Sequence, residues 1–438
     1  NARRNKSVFS FFAAPGQRHP LFKTFSPAIP LAIAGAVAIP LALFAPKGMA
    51  PLFAAVVVAA LVAHAVRTRT PPPVPVRLTA ALLAFVAFAA LSATWSVAPG
   101  QSLSAVAPVA AMLLGGAVLM GLAANMDEPG RAAVRAAAIG GGAFGGALVL
   151  GEWMFDRSIL GAYQTAVGQP MLVPTQLFIT FKPMASVLAL FAWPLLLAVR
   201  HRFSRAAALA AGAVLLALFV ALKATTPLYA FVIGGAVFFL ARRIGRIIVP
   251  LLGTALVVGV LAAPWIAVWL PNPEWESRKV GFLSNSAFHR LEIWRTVAAH
   301  IQGKTWAGHG FDTARRLYPQ GTEVVKTFRR DDPEKTYSNK FEPIPLHPHN
   351  MILQIWLETG LAGALLVLAA LGAVLAALAR ATLDKTEKAA GYAFFITALA
   401  IGSVSFGAWQ AWWLSTILLN AALMIAVFSR SPISRNPS

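Results

Sequence analysis

Cysteine is absent from this chain of 438 residues, and acidic residues are scarce, with only 16 Asp and Glu. The lack of cysteine excludes disulfide bonds, thiolate zinc sites and thiol nucleophiles. Only 12% of the residues are charged and 58% are hydrophobic, whereas about 25% are charged in a typical soluble domain. This composition excludes an ordinary cytosolic enzyme, a disordered tail and a disulfide-rich secreted module.

The charges that are present are mostly basic, with 37 Lys and Arg and a net charge of +21. Such a chain often binds nucleic acid, but here the basic residues form short clusters between long apolar runs. One alternating set of short loops holds 21 of them and the opposite set holds four. Cytoplasmic loops of membrane proteins carry this excess. We therefore predict cytoplasmic termini and no nucleic-acid partner.

Twelve apolar segments approach the length of about 20 residues that a membrane-spanning helix needs. No cleavable signal peptide is evident before Ser26, where the chain is basic and polar. We predict an all-α integral membrane protein with about 12 transmembrane helices. Residues 1–269 form spans 1–9, residues 270–350 form a periplasmic loop domain with the chemical motifs, and residues 351–438 form spans 10–12. The predicted spans are 27–46, 50–66, 78–95, 105–124, 132–155, 183–199, 205–223, 225–241, 246–269, 351–379, 388–406 and 409–428, with a loop at 156–182.

The long loop concentrates the polar chemistry, because it holds five of the eight histidines. A loop of this length is usually functional, although an ordered extracytoplasmic cap is the alternative. Within 284–302, helical spacing places Arg290 on the same face as Leu291, Trp294 and Val297. An arginine on an apolar face either extends to water at the membrane surface or binds an anion facing inward.

The run His347-Pro348-His349-Asn350 directly precedes the tenth predicted span. Since proline favours the first position of a helix, we expect His349 and Asn350 in its first turn. The positive end of the helix dipole would then favour a neutral histidine, which is the form a general base needs. Paired histidines can also hold a metal, but an i, i+2 spacing on a helix places them far apart.

Polar residues continue down this span as Asn350, Gln354 and Glu358, a stripe about 12 Å long at 1.5 Å per residue. Ionisable groups inside spans are costly and often functional; a ladder of hydrogen bonds between helices is the alternative. The small residues Gly360 and Gly363 predict close packing of a neighbouring helix.

Three segments together resemble the lipopolysaccharide O-antigen ligases. His349-Asn350 followed by Gly360-Leu361-Ala362-Gly363 is similar to the signature of that family. Ser286-x-x-x-Arg290-x-x-x-Trp294 with Gly308-His309-Gly310-Phe311 resembles a block in the periplasmic loop of the O-antigen ligase and polymerase superfamily. Trp95-Ser96-Val97-Ala98-Pro99 is similar to a short segment after its third span.

The resemblance implies a GT-C-like glycosyltransferase in the bacterial inner membrane, with an active site facing the periplasm. Its donor would be O-antigen linked to undecaprenyl pyrophosphate, and its acceptor a hydroxyl of lipid A–core. No cofactor and no metal are implied, and the other partners are membrane lipids. The resemblance further implies that His349 is the general base and that Arg290 binds the donor pyrophosphate.

Relatives often carry a second arginine at the start of the eighth span, where this chain has Lys223-Ala224-Thr225-Thr226-Pro227. Lys223 either supplies that charge or extends to the membrane surface. Lys182, His347 and Asn350 are further candidates for substrate binding, and weaker ones are Arg157, Arg278, Lys279, Arg295, Arg315 and Arg316.

The resemblance leaves the acceptor open. An O-antigen polymerase or a protein O-oligosaccharyltransferase would use the same donor and the same two residues. A transporter or flippase also suits twelve spans, but transporters usually place charges near the membrane midplane, whereas here the polar chemistry lies at one face. The sequence therefore favours an inverting O-antigen ligase over these alternatives.

Overall fold

A computed structural model describes residues 26–155, 158–168, 177–272, 285–319, 321–329 and 336–429. Within these ranges the chain is mainly helical, with one antiparallel pair of short strands in which Val324 lies opposite Phe341. The elements are α1 (Ala28–Phe44), α2 (Met49–Thr68), α3 (Val76–Leu91), α4 (Pro99–Ala124), α5 (Glu128–Met154), α6 (Ser158–Ala166), α7 (Leu177–Arg202), α8 (Arg205–Ala221), α9 (Thr225–Ile244), α10 (Ile248–Trp269), α11 (Asn285–Gly303), β1 (Val324–Arg329), β2 (Thr336–Phe341), α12 (Met351–Arg380), α13 (Lys385–Gly402) and α14 (Ala411–Val427).

Each of the twelve segments predicted to cross the membrane overlaps one of these helices. Seven helical segments of the described residues are long and apolar enough to span a membrane, and one of them, Thr225–Trp269, comprises both α9 and α10. Three further apolar helices, α1, α8 and α14, are shorter. The protein is therefore a helical multi-pass membrane protein, and the number of twelve crossings stays a prediction.

Two sequence-based boundaries were wrong. The segment 156–182, which we predicted as a loop, contains α6 and the beginning of α7. The span at 351–379, which we predicted as one continuous helix, is broken at Gly360, where φ is 61° and ψ is −161°. Hydropathy cannot detect such a break, because the residues on both sides of it are equally apolar.

The helices pack around α7, which is buried along most of its length, whereas the other candidate spans are buried on one side only. The closest pairs are α1 with α5, α9 with α13, α3 with α12 and α4 with α14. The first pair depends on glycine: a Cβ at Gly141 would lie 2.3 Å from the carbonyl oxygen of Gly35. Small residues allow this contact between backbones, as is usual where membrane helices pack.

Ion pairs connect the basic loops at one end of the bundle, which we call the basic end. Arg67 lies 3.4 Å from Asp127, and Arg200 lies 3.4 Å from Asp384. The opposite end, which we call the site end, comprises residues 92–98, 304–314, 347–350 and 403–410. Large aromatic residues are exposed near it, as is typical of membrane proteins at the lipid–water interface; they are Trp153, Phe155, Trp265, Trp269 and Trp306.

At the basic end, the buried side chain of Arg131 binds the C-terminal ends of two helices. Its Nη2 donates to Ala123 O and Ala124 O at the end of α4, and its Nη1 donates to Ile425 O and Phe428 O at the end of α14. These carbonyls have no partner within their own helices, and the dipole there favours a cation. Arg131 therefore connects α4, α5 and α14.

Replacing Arg131 with Met is expected to lower the free energy of unfolding by about 3 kcal/mol, because several buried carbonyls lose their donor. The measurement is the thermal unfolding midpoint of the protein in detergent. Arg243→Met, at an exposed position on α9, is the matched control and should leave the midpoint unchanged. Equal midpoints for the two variants would contradict this role.

Candidate functional site

The turn His347-Pro348-His349 lies just before α12, and Asn350 is the N-cap of that helix. The Asn350 side chain accepts hydrogen bonds from Ile352 N at 3.0 Å and Leu353 N at 3.1 Å. His349 has a φ of 56°, in the left-handed region. Our prediction that His349 and Asn350 lie in the first helical turn, with proline at its first position, was therefore wrong. The side-chain oxygen of Asn350 caps the N-terminus of α12, and His349 lies in the turn before the helix.

Two hydrogen bonds set the tautomers of the two histidines. His349 Nδ1 lies 2.9 Å from the carbonyl oxygen of Ser405, which can only accept, so Nδ1 carries the proton. The neutral ring then has an unprotonated Nε2. His347 Nδ1 accepts from the backbone N–H of His349 at 3.1 Å, so its proton is on Nε2. The ring centroids are 4.4 Å apart, because the residues form a turn and not a helix.

Burial keeps both imidazoles neutral. Desolvation lowers the pKa of His349 below its ordinary value of 6.5; the Ser405 carbonyl raises it and the charge of Arg290 lowers it further. Desolvation, together with His349, Arg315 and Arg290, lowers the pKa of His347 to about 3. The sequence predicted a neutral histidine from the helix dipole, whereas in the structure desolvation is the main cause.

Arg290 lies on α11 and is half-buried. Burial lowers the pKa of its guanidinium. Its positive charge lowers the pKa of His289, His347 and His349, so all three rings lie within its electrostatic reach. Of the two orientations that the sequence left open, this inward one is the orientation of an anion-binding arginine.

Another α11 residue holds the turn in place. Trp294 Nε1 donates to the carbonyl oxygen of Pro348 at 2.9 Å. Arg295, which we considered as a substrate ligand, instead donates to Val268 O at 3.1 Å and Leu270 O at 2.7 Å, at the C-terminal end of α10. The structure therefore gives Arg295 a contact that anchors α11 to α10.

The break at Gly360 receives the loop that follows α11. Before the break, two carbonyls of α12 accept hydrogen bonds from the N–H groups of His309 and Gly310, both at 2.9 Å. After it, two N–H groups of α12 donate to carbonyls of this loop at 2.8 and 3.2 Å. A Cβ at Gly360 would lie 2.5 Å from Trp306 O. The close neighbour of Gly360 is thus a loop, and not the helix that we predicted.

The segment that contains Trp95 contacts the same loop. Trp95 Nε1 donates to Ala307 O at 3.2 Å, and the N–H of Val97 donates to His309 O at 3.0 Å. Ser102 Oγ donates to Phe311 O at 2.7 Å. All three segments on which the family resemblance rests therefore meet at the site end.

The carboxylate of Glu358 joins this loop to the transmembrane helices. It is fully buried and accepts four hydrogen bonds. Oε1 accepts from Ala314 N at 3.1 Å and Gln354 Nε2 at 3.0 Å, and Oε2 accepts from Asp312 N at 2.8 Å and Trp409 Nε1 at 2.6 Å. The hydrogen-bond ladder that the sequence offered as the alternative is therefore present and also contacts the loop, whereas a functional role of the polar stripe stays a prediction.

The other predicted ligands lie farther out or are not described. Lys182 on α7 and Lys223 between α8 and α9 are exposed, and both lie toward the end opposite Arg200. Their roles in phosphate binding stay predictions. Arg278 lies outside the described residues. Sequence reasoning missed Ser405, which acts through its backbone carbonyl, and Trp409, whose indole N–H donates to Glu358 from 51 positions away; neither contact has a local sequence signal.

Residues 190–368 match the protein family described as O-antigen ligase. A protein of Rickettsia felis named "Putative polysaccharide ligase" is 36% identical over 194 residues, which cover 44% of this chain and 45% of that protein. The polysaccharide ligase proteins of Rickettsia conorii (35% identity, 44% of each chain) and Rickettsia typhi (36%, with 42% and 43% covered) are similar. The chain thus spans a little under half the length of these relatives. The segment that holds Arg290, His349 and Glu358 lies within the residues that match the O-antigen ligase family.

Proposed function

We propose that this protein transfers an O-antigen polysaccharide from undecaprenyl pyrophosphate to a hydroxyl group of lipid A–core. In this proposal the site end faces the periplasm and the basic end faces the cytoplasm, in agreement with the excess of Lys and Arg there. The observations that carry the proposal are the unprotonated Nε2 of His349 and the half-buried guanidinium of Arg290, whose charge acts on the His349 ring.

The proposed chemistry is a single displacement at the anomeric carbon of the donor. The acceptor oxygen forms a bond to that carbon while the bond to the pyrophosphate oxygen breaks, and the electron pair leaves with undecaprenyl pyrophosphate. His349 Nε2 takes the proton of the acceptor hydroxyl. Arg290 stabilises the negative charge that grows on the leaving group, as positioned cations do. Attack opposite the leaving group inverts the anomeric configuration.

The names of the relatives favour a ligase over a polymerase, because they are called polysaccharide ligases. The test is to incubate purified protein with donor and lipid A–core, without added metal or nucleotide. Formation of glycosylated lipid A–core supports the ligase. Products that join only two donor lipids would establish a polymerase, and products that appear only on added protein would establish protein glycosylation.

Arg290→Ala is expected to reduce transfer about 10²- to 10³-fold, which is typical when one donor to a developing negative charge is removed. The lysine variant should recover only part of the activity, because an ammonium cannot bind a phosphate in the bidentate manner of a guanidinium. The measurement is the initial rate at saturating donor. Arg246→Ala, exposed at the basic end, is the control, and loss of activity in both variants alike would argue against a specific role for Arg290.

A further inference from the structure

A cavity of about 310 Å³ lies next to the histidine turn, on the segment between α10 and α12. One wall is the short helical turn Ala314–Arg316 with the residues that follow it, and the other wall is the segment 342–346. Neither the predicted chemistry nor the contacts described above make use of this cavity. Its main side chains are Arg315, Arg316, Tyr318, Thr322, Glu342 and Ile344.

The chemistry of the walls suits an acidic sugar. The lining contains two guanidinium groups and one carboxylate, and of the two guanidinium groups Arg316 is the one that does not pair with Asp312. Arg315 is held in place by Asp312, whose two carboxylate oxygens lie 3.2 and 3.3 Å from its Nη2. Arg316 is exposed. Guanidinium groups bind phosphate and carboxylate groups in a bidentate manner.

A rigid apolar surface accompanies these charges. The ring of Tyr318 packs edge-on against His300 with centroids 5.5 Å apart, and Ile344 is buried at the base of the segment 342–346. Pockets that bind small polar molecules combine such surfaces with a few placed polar groups. The cavity thus offers a flat ring, a hydroxyl group at Thr322 and fixed cations, which together match the faces and substituents of a sugar.

The wall of the cavity is next to the histidine turn along the chain. Its wall at 342–346 runs directly into His347, and Ile344 is three residues from it, a path of about 10 Å at most. Arg315 is also close enough to His347 for its charge to lower the pKa of that ring. A saccharide in the cavity can therefore extend to His349. In the proposed reaction His349 contacts the hydroxyl of the acceptor and not the lipid of the donor, so a sugar bound here would belong to the acceptor.

We propose that this cavity binds an anionic sugar of the acceptor oligosaccharide, with Arg316 as the group that contacts its negative charge. This rests on the proposed function, since it assigns the cavity to the acceptor of that reaction. Arg316 is then a specificity-determining residue for acceptors that carry phosphate or carboxylate groups.

Binding can be tested separately from catalysis. The probe is deacylated lipid A–core oligosaccharide, either intact or dephosphorylated, titrated into the full-length His349→Ala protein by calorimetry. We expect the intact probe to bind about tenfold more weakly when Arg316→Ala is added, as is typical when a charge-assisted hydrogen bond is lost. Dephosphorylation of the probe should weaken its binding to a similar degree. The affinity for the dephosphorylated probe should then be the same with and without Arg316→Ala.

Lys340→Ala is the matched control, because Lys340 is an exposed cation on β2 that pairs with Glu323 at 3.0 Å and does not line the cavity. In transfer assays with the His349 protein, Arg316→Ala should raise the KM for acceptor about tenfold and leave the KM for donor within a factor of two. Equal binding of the intact probe with and without Arg316 would overturn the acceptor site, as would a rise in the donor KM alone. Absence of any transfer by the unmodified protein would instead overturn the proposed function, and the calorimetric result would still decide the cavity.

Discussion

Replacement of His349 with alanine is expected to reduce glycan transfer about 10³-fold while the protein stays folded. General bases contribute about 10²- to 10⁴-fold to rates. His349 is half-buried, its Nδ1 proton is fixed on the Ser405 carbonyl, and its Nε2 can accept a proton. The rate of product formation at saturating donor and acceptor is the measurement. His64→Ala, at the basic end, is the matched control and should retain full activity.

The pH dependence of the reaction provides an independent check on the base. Since burial lowers the pKa of His349 below 6.5, the imidazole stays neutral as the pH falls through 6.5. The acid limb of the rate should therefore lie below pH 6.5, and activity should be flat between about pH 7 and 8. Residual activity of His349→Ala should lack this limb. If the variant transfers glycan within tenfold of the normal rate, another group removes the proton and the assignment is wrong.

Local patterns in the sequence predicted the helices and the apolar face on which Arg290 lies, whereas the roles of Arg290 and His349 came from the family resemblance. The apolar runs determine where helices form, because only helices satisfy their backbone groups in lipid. The helical spacing around Arg290 placed it on the apolar face of α11 and left its orientation open; in the structure its charge acts on the rings of His347 and His349. Each of these features depends on residues that are close in sequence.

Features that depend on distant residues could not be predicted in this way. The two residues Asp312 and Glu358 are 46 positions apart, and the loop that enters the break at Gly360 has no hydropathy signal. Gly360 and Gly363 match a helix-packing pattern equally well, so the pattern alone favoured the wrong neighbour. Likewise, the sequence alone does not distinguish Arg295 from Arg290. Only the contacts show that Arg295 binds the carbonyls at the end of α10 and is not a candidate for anion binding.

Arg290 precedes and His349 follows the loop after α11, and Glu358 is the side chain that fixes this loop against α12. Because all four of its partners are donors, the side chain has to be an acceptor at both oxygens. An alanine would leave two buried backbone N–H groups and one indole N–H unpaired, at a cost of about 3 kcal/mol or more. We therefore class Glu358 as a positioning residue.

Glu358→Gln is expected to be nearly as harmful as Glu358→Ala, reducing transfer about 100-fold although its shape is conserved. Each oxygen of Glu358 accepts one backbone N–H of residues 312–314 and one side-chain N–H. Whichever oxygen is replaced by an amide NH₂, these two donors then face another donor. If the loop is no longer fixed, Arg290 and His349 are displaced relative to each other. A displacement of about 1 Å is enough to reduce the transfer rate about 100-fold. Glu323→Gln, exposed in the same segment, should have no effect.

A structural role and a positioning role make different predictions for this variant. If Glu358 positions the loop, Glu358→Gln should lower kcat far more than it lowers donor affinity, and limited proteolysis should cleave residues 304–316 faster while the transmembrane core stays intact. Local opening of this kind costs less than global unfolding. A variant that unfolds altogether in detergent, or one with normal kcat and normal proteolysis of the loop, would contradict the positioning role. The connection through Glu358 therefore predicts that a change inside α12 acts on catalysis through the loop that carries Asp312.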